Sequence, residues 1–202
     1  MPDSTTPTVH FLAEAPPGPE AEAMFGNDVK ELGYVMNLTH LWAHQPAAFT
    51  SLFDLLGTAA AGGDLSLRQK GILVGAAASS INDSYCSLAW GSRLAGVAGN
   101  AAAAGVLLGD DTELDPSEAV MARWARKVAL DPTATTPADV QELREAGLDD
   151  AQIFAMTLYV ALRVTFSTVN NALGVRPDSA LADAAPPAVR HAVTYGRPVA
   201  DM

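Results

Sequence analysis

"LSLRQKGILVGAAASSINDSYCSLAWGSRLAGV", residues 65–97, decides how this 202-residue chain folds. From Gly71 to Asn82 it carries no charge, and small residues dominate, with Gly71, Gly75 and the run Ala76 to Ala78. A helix written this way has no polar face to turn outward, so it is expected to be buried on most sides. Ser66 is placed to cap its start. Asn82-Asp83-Ser84 then breaks it and can cap a second helix, "YCSLAWGSRLAGVAG".

Working outward, the remaining text is helical too. Residues 19–32 lead to a break at Gly33, followed by "VMNLTHLWAHQ". Pro46 suits the first turn of "PAAFTSLFDLLGTAAA", and Pro116 that of "PSEAVMARWARKVAL". A short helix is expected around 100–108, and a surface helix starts at Thr136-Pro137 and stops at Gly147. Asp149 begins the longest run, through Val175. No strand pattern and no tandem repeat interrupts this, so the chain is expected to be all-α. It divides into a flexible N-terminal segment over 1–19, one helical domain of about eight helices over 20–177, and a Pro-punctuated tail over 178–202. The tail is expected to wrap its own surface or a neighbour.

Composition narrows the partners. Hydrophobic residues make up 49% of the chain and its formal net charge is −11. That balance disfavours nucleic acid and anionic membranes, which repel an acidic surface. Residues 151–175 are apolar, but Arg163 near their middle and several Asn, Ser and Thr mark a buried helix and not a membrane span. "MPDSTTPTVHFLAEAPPGPE" has neither the basic start nor the apolar stretch of a secretory leader, so a cytoplasmic location is expected. The single cysteine excludes an intrachain disulfide and any cysteine-built zinc or iron–sulfur site, and no metal or cofactor is called for.

That cysteine, Cys86, falls in the first turn of the helix after the break. Helix N–H groups there favour a thiolate, whereas Asp83 three residues upstream opposes it. Cys86 is therefore either an activated thiol or an inert packed one. Asp83 by itself reads as an N-cap contributing about 1 kcal/mol. Trp90 shares a helix face with Cys86. His40 and His44, spaced i and i+4, could face one site or be one surface and one packed ring, with no acidic residue beside them to complete a metal site. Arg163, the one charge between Ala151 and Val175, is either paired with a carboxylate of another helix or subunit or clamps an anionic ligand.

Residues 65–90 resemble the core of the AhpD-like (alkylhydroperoxidase and carboxymuconolactone decarboxylase) family. The pattern there is L-S-x-R-x-x-E, eleven residues, C-x-Y-C, three residues and H, and this chain follows the phasing without a gap. "NLTHLWAHQP" resembles the first helical hairpin of the peroxidase-related branch, and "PADVQELREAGLDDAQIFAMTLYVALRVTFSTVNNALGV" its second half. The resemblance implies an all-helical, oligomeric protein: a homo-dimer, trimer or hexamer. In the family's peroxidases a Glu-Cys-Cys-His relay reduces peroxides, the second cysteine attacking and the first resolving. Carried over by position, Cys86 matches the attacking cysteine and Tyr85 the residue before it. Asp83 stands at the resolving cysteine, Gly71 at the glutamate and Trp90 at the histidine.

Three functions compete on these residues. In the first, the pocket has left thiol peroxide chemistry and binds or converts a small molecule, with Gly71, Trp90, Arg163, His40 and His44 lining it. Asp83 is then the candidate base and Tyr85 the candidate acid beside Cys86. In the second, Cys86 alone is a weak one-cysteine peroxidase or redox sensor. In the third, the protein is a non-catalytic oligomer or partner-binding module.

Overall fold

The computed structural model describes residues 9–201. Among them lie eleven α-helices and no strand, so the all-α expectation holds. They are α1 (Pro19–Leu32), α2 (Asn37–Trp42), α3 (Pro46–Gly62), α4 (Leu67–Ser80), α5 (Ser84–Ala98), α6 (Asn100–Leu108), α7 (Pro116–Leu130), α8 (Pro137–Glu145), α9 (Asp150–Ala172), α10 (Ser179–Ala184) and α11 (Pro187–Ala192). A single 3-10 turn, Pro132–Ala134, joins α7 to α8. The count exceeds eight chiefly because the Pro-punctuated tail winds into two short helices between its prolines.

α4 is the axis of the molecule. It packs on α5 and α7, and also on α6 and α9. Every residue from Gly71 to Ala78 is buried, and Ile72 and Leu73 are fully so. The uncharged run is thus surrounded, as its composition requires. Ser66 caps α4 in a reciprocal box with Gln69: the Gln69 N–H donates to Ser66 Oγ at 3.2 Å, and the Ser66 N–H donates to Gln69 Oε1 at 3.0 Å. Thr136 and Asp149 cap α8 and α9 in the same manner.

Gly71 lets α4 and α5 approach closely. A Cβ there would stand 3.1 Å from Leu94 Cβ and 3.4 Å from Leu94 Cα. The room at position 71 is therefore taken up by the helix crossing.

One ion pair ties α4 to α7. Arg68 grips Glu118 through two bonds, Nε to Oε1 at 2.6 Å and Nη2 to Oε2 at 2.8 Å, and Glu118 is 8% exposed. α9 is long and apolar enough to cross a membrane by length and composition. Here it packs against α3, α4 and α7 as a core helix.

Both flanking segments are docked on the helical body. Of the N-terminal segment expected to be flexible, residues 1–8 lie outside the described residues. The rest is held at the end of α9: the Phe11 N–H donates to Leu173 O at 2.8 Å, and the Arg176 N–H donates to Val9 O at 3.1 Å. His10 is buried. In the tail, α11 packs on α6 and α5, and α10 on α5. Gly196 crosses the break between α4 and α5 so closely that a Cβ would lie 2.4 Å from Asn82 O. The tail thus closes on its own chain.

Candidate functional site

The break Asn82-Asp83-Ser84 sets the site. Asn82 takes a left-handed conformation (φ 55°), which asparagine tolerates better than most residues. The turn it makes sends Asp83 into the interior as the N-cap of α5. Asp83 Oδ1 accepts the Cys86 N–H at 3.0 Å, while Oδ2 is buried with no hydrogen-bond partner among the described residues. Asp83 is completely buried.

Cys86 is 3% exposed. Burial pushes its thiol pKa well above the ordinary value, and the Asp83 carboxylate pushes it further; Arg163 and a hydrogen bond with Ser167 act in the opposite direction without prevailing. The helix start that could have favoured a thiolate is already occupied by the Asp83 cap. Cys86 is a neutral thiol at physiological pH.

Along α5, Cys86, Trp90 and Arg93 follow at i, i+4 and i+7 and face one cleft of about 570 Å³. Phe49 and Phe53 of α3 and Phe166 of α9 form its other wall. These rings pack on one another: Phe49 and Phe53 centroids are 4.5 Å apart, and Phe53 meets Phe166 edge-on at 5.4 Å. Trp42 stacks behind Phe166 at 5.3 Å and anchors the wall by donating its indole N–H to Asn170 Oδ1 at 2.8 Å.

Arg163 enters the cleft from α9. It is 8% exposed, and its guanidinium carbon lies 4.7 Å from the Trp90 ring centre, 5.7 Å from Tyr159 and 5.8 Å from Phe53. The expected alternatives were a carboxylate partner or an anion clamp. Among the described residues the ion pairs include neither Arg163 nor Arg93. Arg163 is surrounded by aromatic faces instead, and its Nε is buried without a hydrogen-bond partner among those residues.

The other candidates divide. Tyr85 lines the cleft, but its hydroxyl is committed: it donates to Asp178 Oδ2, while Asp178 Oδ1 accepts the Asn37 N–H at 2.8 Å. Burial and the neighbouring Asp178 charge raise the Tyr85 pKa beyond the range in which a phenol releases its proton in water. Burial likewise raises that of Asp178, against the bonds from Tyr85 and Asn37. Tyr85 is thus a structural hydrogen-bond donor in this arrangement and not a proton source.

Gly71, expected to line the pocket, lies under Leu94 and away from the cleft. His40 and His44 are also displaced from it. His44 Nε2 sits 3.0 Å from Ala13 O, and His40 Nδ1 3.5 Å from Glu14 Oε2, so His40 on α2 and His44 in the turn after it both face the N-terminal segment. No group of three or more His, Cys, Asp or Glu among the described residues is placed to hold a metal.

Sequence reasoning missed Arg93 and Asp178. The i, i+4, i+7 spacing from Cys86 would have found Arg93. Nothing local marks Asp178, which meets Tyr85 across 93 positions of chain. Asp178→Ala is expected to destabilise the protein by about 2–3 kcal/mol, because it strands the buried Tyr85 hydroxyl and the partly buried Asn37 N–H, and to speed amide exchange through α10 and α11. Hydrogen-exchange mass spectrometry checks this, and unchanged exchange in both helices would contradict it.

No protein-family model matches the chain, and neither does any curated protein. Solved structures do. An alkylhydroperoxidase AhpD core, an uncharacterized peroxidase-related protein of Ralstonia eutropha JMP134, superposes with a TM-score of 0.74 at 21% identity, covering 86% of this chain and 94% of that one. An uncharacterized peroxidase-related protein of Silicibacter sp. TM1040 gives 0.72 at 21% identity, over 89% and 96%. A Cys-to-Ala variant of the debrominase Bmp8, in complex with 2,3,4-tribromopyrrole, gives 0.68 at 15% identity, over 90% and 97%. Similarity that spans nearly the whole of each chain at these scores identifies the architecture: this protein has the AhpD-like all-helical fold.

Proposed function

We propose that this protein is a diverged AhpD-like protein whose cleft binds a small, largely apolar molecule, and that it has left thiol-based peroxide reduction. The observation that carries the reading is the pairing of an aromatic-walled cleft of about 570 Å³ with a thiol held neutral at its edge. Pockets of this size and lining hold small organic ligands. A two-cysteine peroxidase relay needs a thiolate, a base and a resolving partner. At the corresponding positions stand a buried thiol, Gly71 packed under Leu94, and Asp83. The debrominase of the same fold holds a tribrominated pyrrole, a planar aromatic of the size this cleft admits, which supports a ligand of that shape here.

A ligand-observed NMR screen of uncharged and charged aromatic fragments tests the reading. Binding is expected with the wild type and is expected to vanish in Ala89→Trp, which fills the cleft. Fragment binding untouched by Ala89→Trp would place the site elsewhere. The one-cysteine peroxidase is tested separately by alkylation. Native Cys86 is expected to react with iodoacetamide at pH 7 more than about tenfold slower than a free cysteine, because burial withholds both the thiolate and access. Asp83→Asn is expected to accelerate it by removing the adjacent charge. A fast native reaction, or a sulfenic acid trapped by dimedone at micromolar peroxide, would restore the peroxidase.

A further inference from the structure

Resting on the cleft's reading as a ligand site, we infer that its ligand is an aromatic anion, a carboxylate or an acidic phenolate, with Arg163 as the charged clamp and Arg93 as a second cation at the same ring. Among the residues lining the cleft, Arg93 and Arg163 alone carry charge, and both are positive. The chain as a whole has a net charge of −11, so this cationic spot runs against the rest of the molecule.

The two guanidiniums share one indole. Arg163 lies 4.7 Å and Arg93 5.0 Å from the Trp90 ring centre. Desolvation, and then the neighbouring Arg163 charge, draws the Arg93 pKa down, although the residue as a whole is exposed. Like charges held beside one ring repel, and here no carboxylate among the described residues compensates them. Aromatic faces satisfy part of the electrostatic demand of a guanidinium but none of its five N–H donors. Arg163 Nε shows the deficit directly, being buried and unpartnered. A planar anion supplies what is missing: oxygen acceptors for the guanidinium edge and a negative charge between the two cations. Its ring would lie among Phe49, Phe53 and Phe166. The neutral Cys86 thiol adds no negative charge to repel it, and Asp83, which would, is turned under the helix start to cap Cys86.

Matched probes separate charge from shape. By isothermal titration calorimetry at pH 7, 2-naphthoate is expected to bind about 10- to 100-fold tighter than 2-naphthamide, the difference that hydrogen bonds to a charged partner supply. Arg163→Met is expected to erase the preference, with Arg93→Met reducing it less because that residue is exposed. The wild-type comparison stands even where a variant fails to fold. Equal binding of the two probes, with both displaced by Ala89→Trp, overturns the anion while leaving a neutral-ligand cleft. That result would follow if a carboxylate of a second copy already satisfied Arg163. Failure of both probes while other fragments occupy the cleft overturns the anion as well. Failure of every fragment overturns both readings.

Discussion

Gly71→Glu is expected to lower the unfolding free energy by about 3–5 kcal/mol, the largest loss we foresee from any single substitution in the core. The change introduces the carboxylate that the AhpD-like sequence pattern carries at this position, yet nothing in this structure receives it. Gly71 is buried on α4, and even a Cβ meets Leu94 Cβ at 3.1 Å and Cδ1 at 3.2 Å. Glutamate would add a chain that must push α5 away and a carboxyl buried in an apolar crossing. Gly71→Ala separates the two effects. It adds only the methyl, whose tight contact is offset by the better helix propensity of alanine, about 1 kcal/mol, so its net effect is expected to stay below that of glutamate by at least about 2 kcal/mol.

The sign of the pH dependence follows from burial. A carboxyl whose folded pKa is raised remains neutral in the protein while the unfolded chain ionises. The Gly71→Glu deficit relative to wild type is therefore smallest below the unfolded pKa of about 4.3 and grows as pH rises through the folded value. Urea denaturation at pH 4 and pH 7 measures both. A Gly71→Glu protein within 1 kcal/mol of wild type at pH 7 would mean that the α4–α5 crossing yields and that position 71 is open after all.

Arg68→Met is expected to cost about 2–4 kcal/mol, somewhat below a fully buried pair because the Arg68 side chain is 32% exposed. Its effect comes mainly from what it leaves behind. Glu118 is mostly buried between α4 and α7, and the bonds from Arg68 hold its carboxyl below the usual carboxylate range. A depressed carboxyl contributes stability above its unfolded pKa and loses it as pH falls through the folded value. Without Arg68 that contribution is gone and an ionised carboxylate is stranded at neutral pH. The difference between variant and wild type is then expected to narrow as pH falls below the ordinary glutamate value, and to be smallest only below the depressed folded value, where Glu118 is protonated in both. The double variant Arg68→Met, Glu118→Gln is expected to recover part of the loss, since no charge remains unpaired. A double variant no more stable than Arg68→Met would show that packing of the Arg68 stem, and not its charge, is what matters.

Local rules carried most of the fold. The uncharged run at 71–82 could only be a surrounded helix, and Ser66, Thr136 and Asp149 cap where their side chains say they should. Expectations failed where the deciding partner is distant in the chain. The tail's prolines read as interruptions, yet they delimit α10 and α11, because packing on α5 and α6 stabilises helices too short to persist alone. On α5, Cys86 and Trp90 line one cleft as their spacing requires, and the same periodicity contains Arg93. Gly71 was misplaced because a glycine opposite a pocket and a glycine beneath a crossing helix look identical in sequence. The i, i+4 spacing of His40 and His44 suggests one shared helix face, but α2 ends at Trp42, and both rings meet residues 13 and 14 and not the cleft.

The docking of both flanking segments at one end of α9 has a topological consequence. Phe11 lies against Gly174, the Arg197 guanidinium stands 4.6 Å over the Phe11 ring, and Arg197 in turn donates to Asn171 O at 2.7 Å. Residues near position 10 and near position 197 thus meet at a seam, and the chain between them forms a nearly closed loop. Contacts so far apart in sequence are expected to form after the intervening helices have assembled, because closing the loop earlier carries its full entropic penalty with little enthalpy in return. The seam is therefore a clasp that joins the two flanking segments, and a substitution at Phe11 is expected to loosen the hold on Arg197 as well.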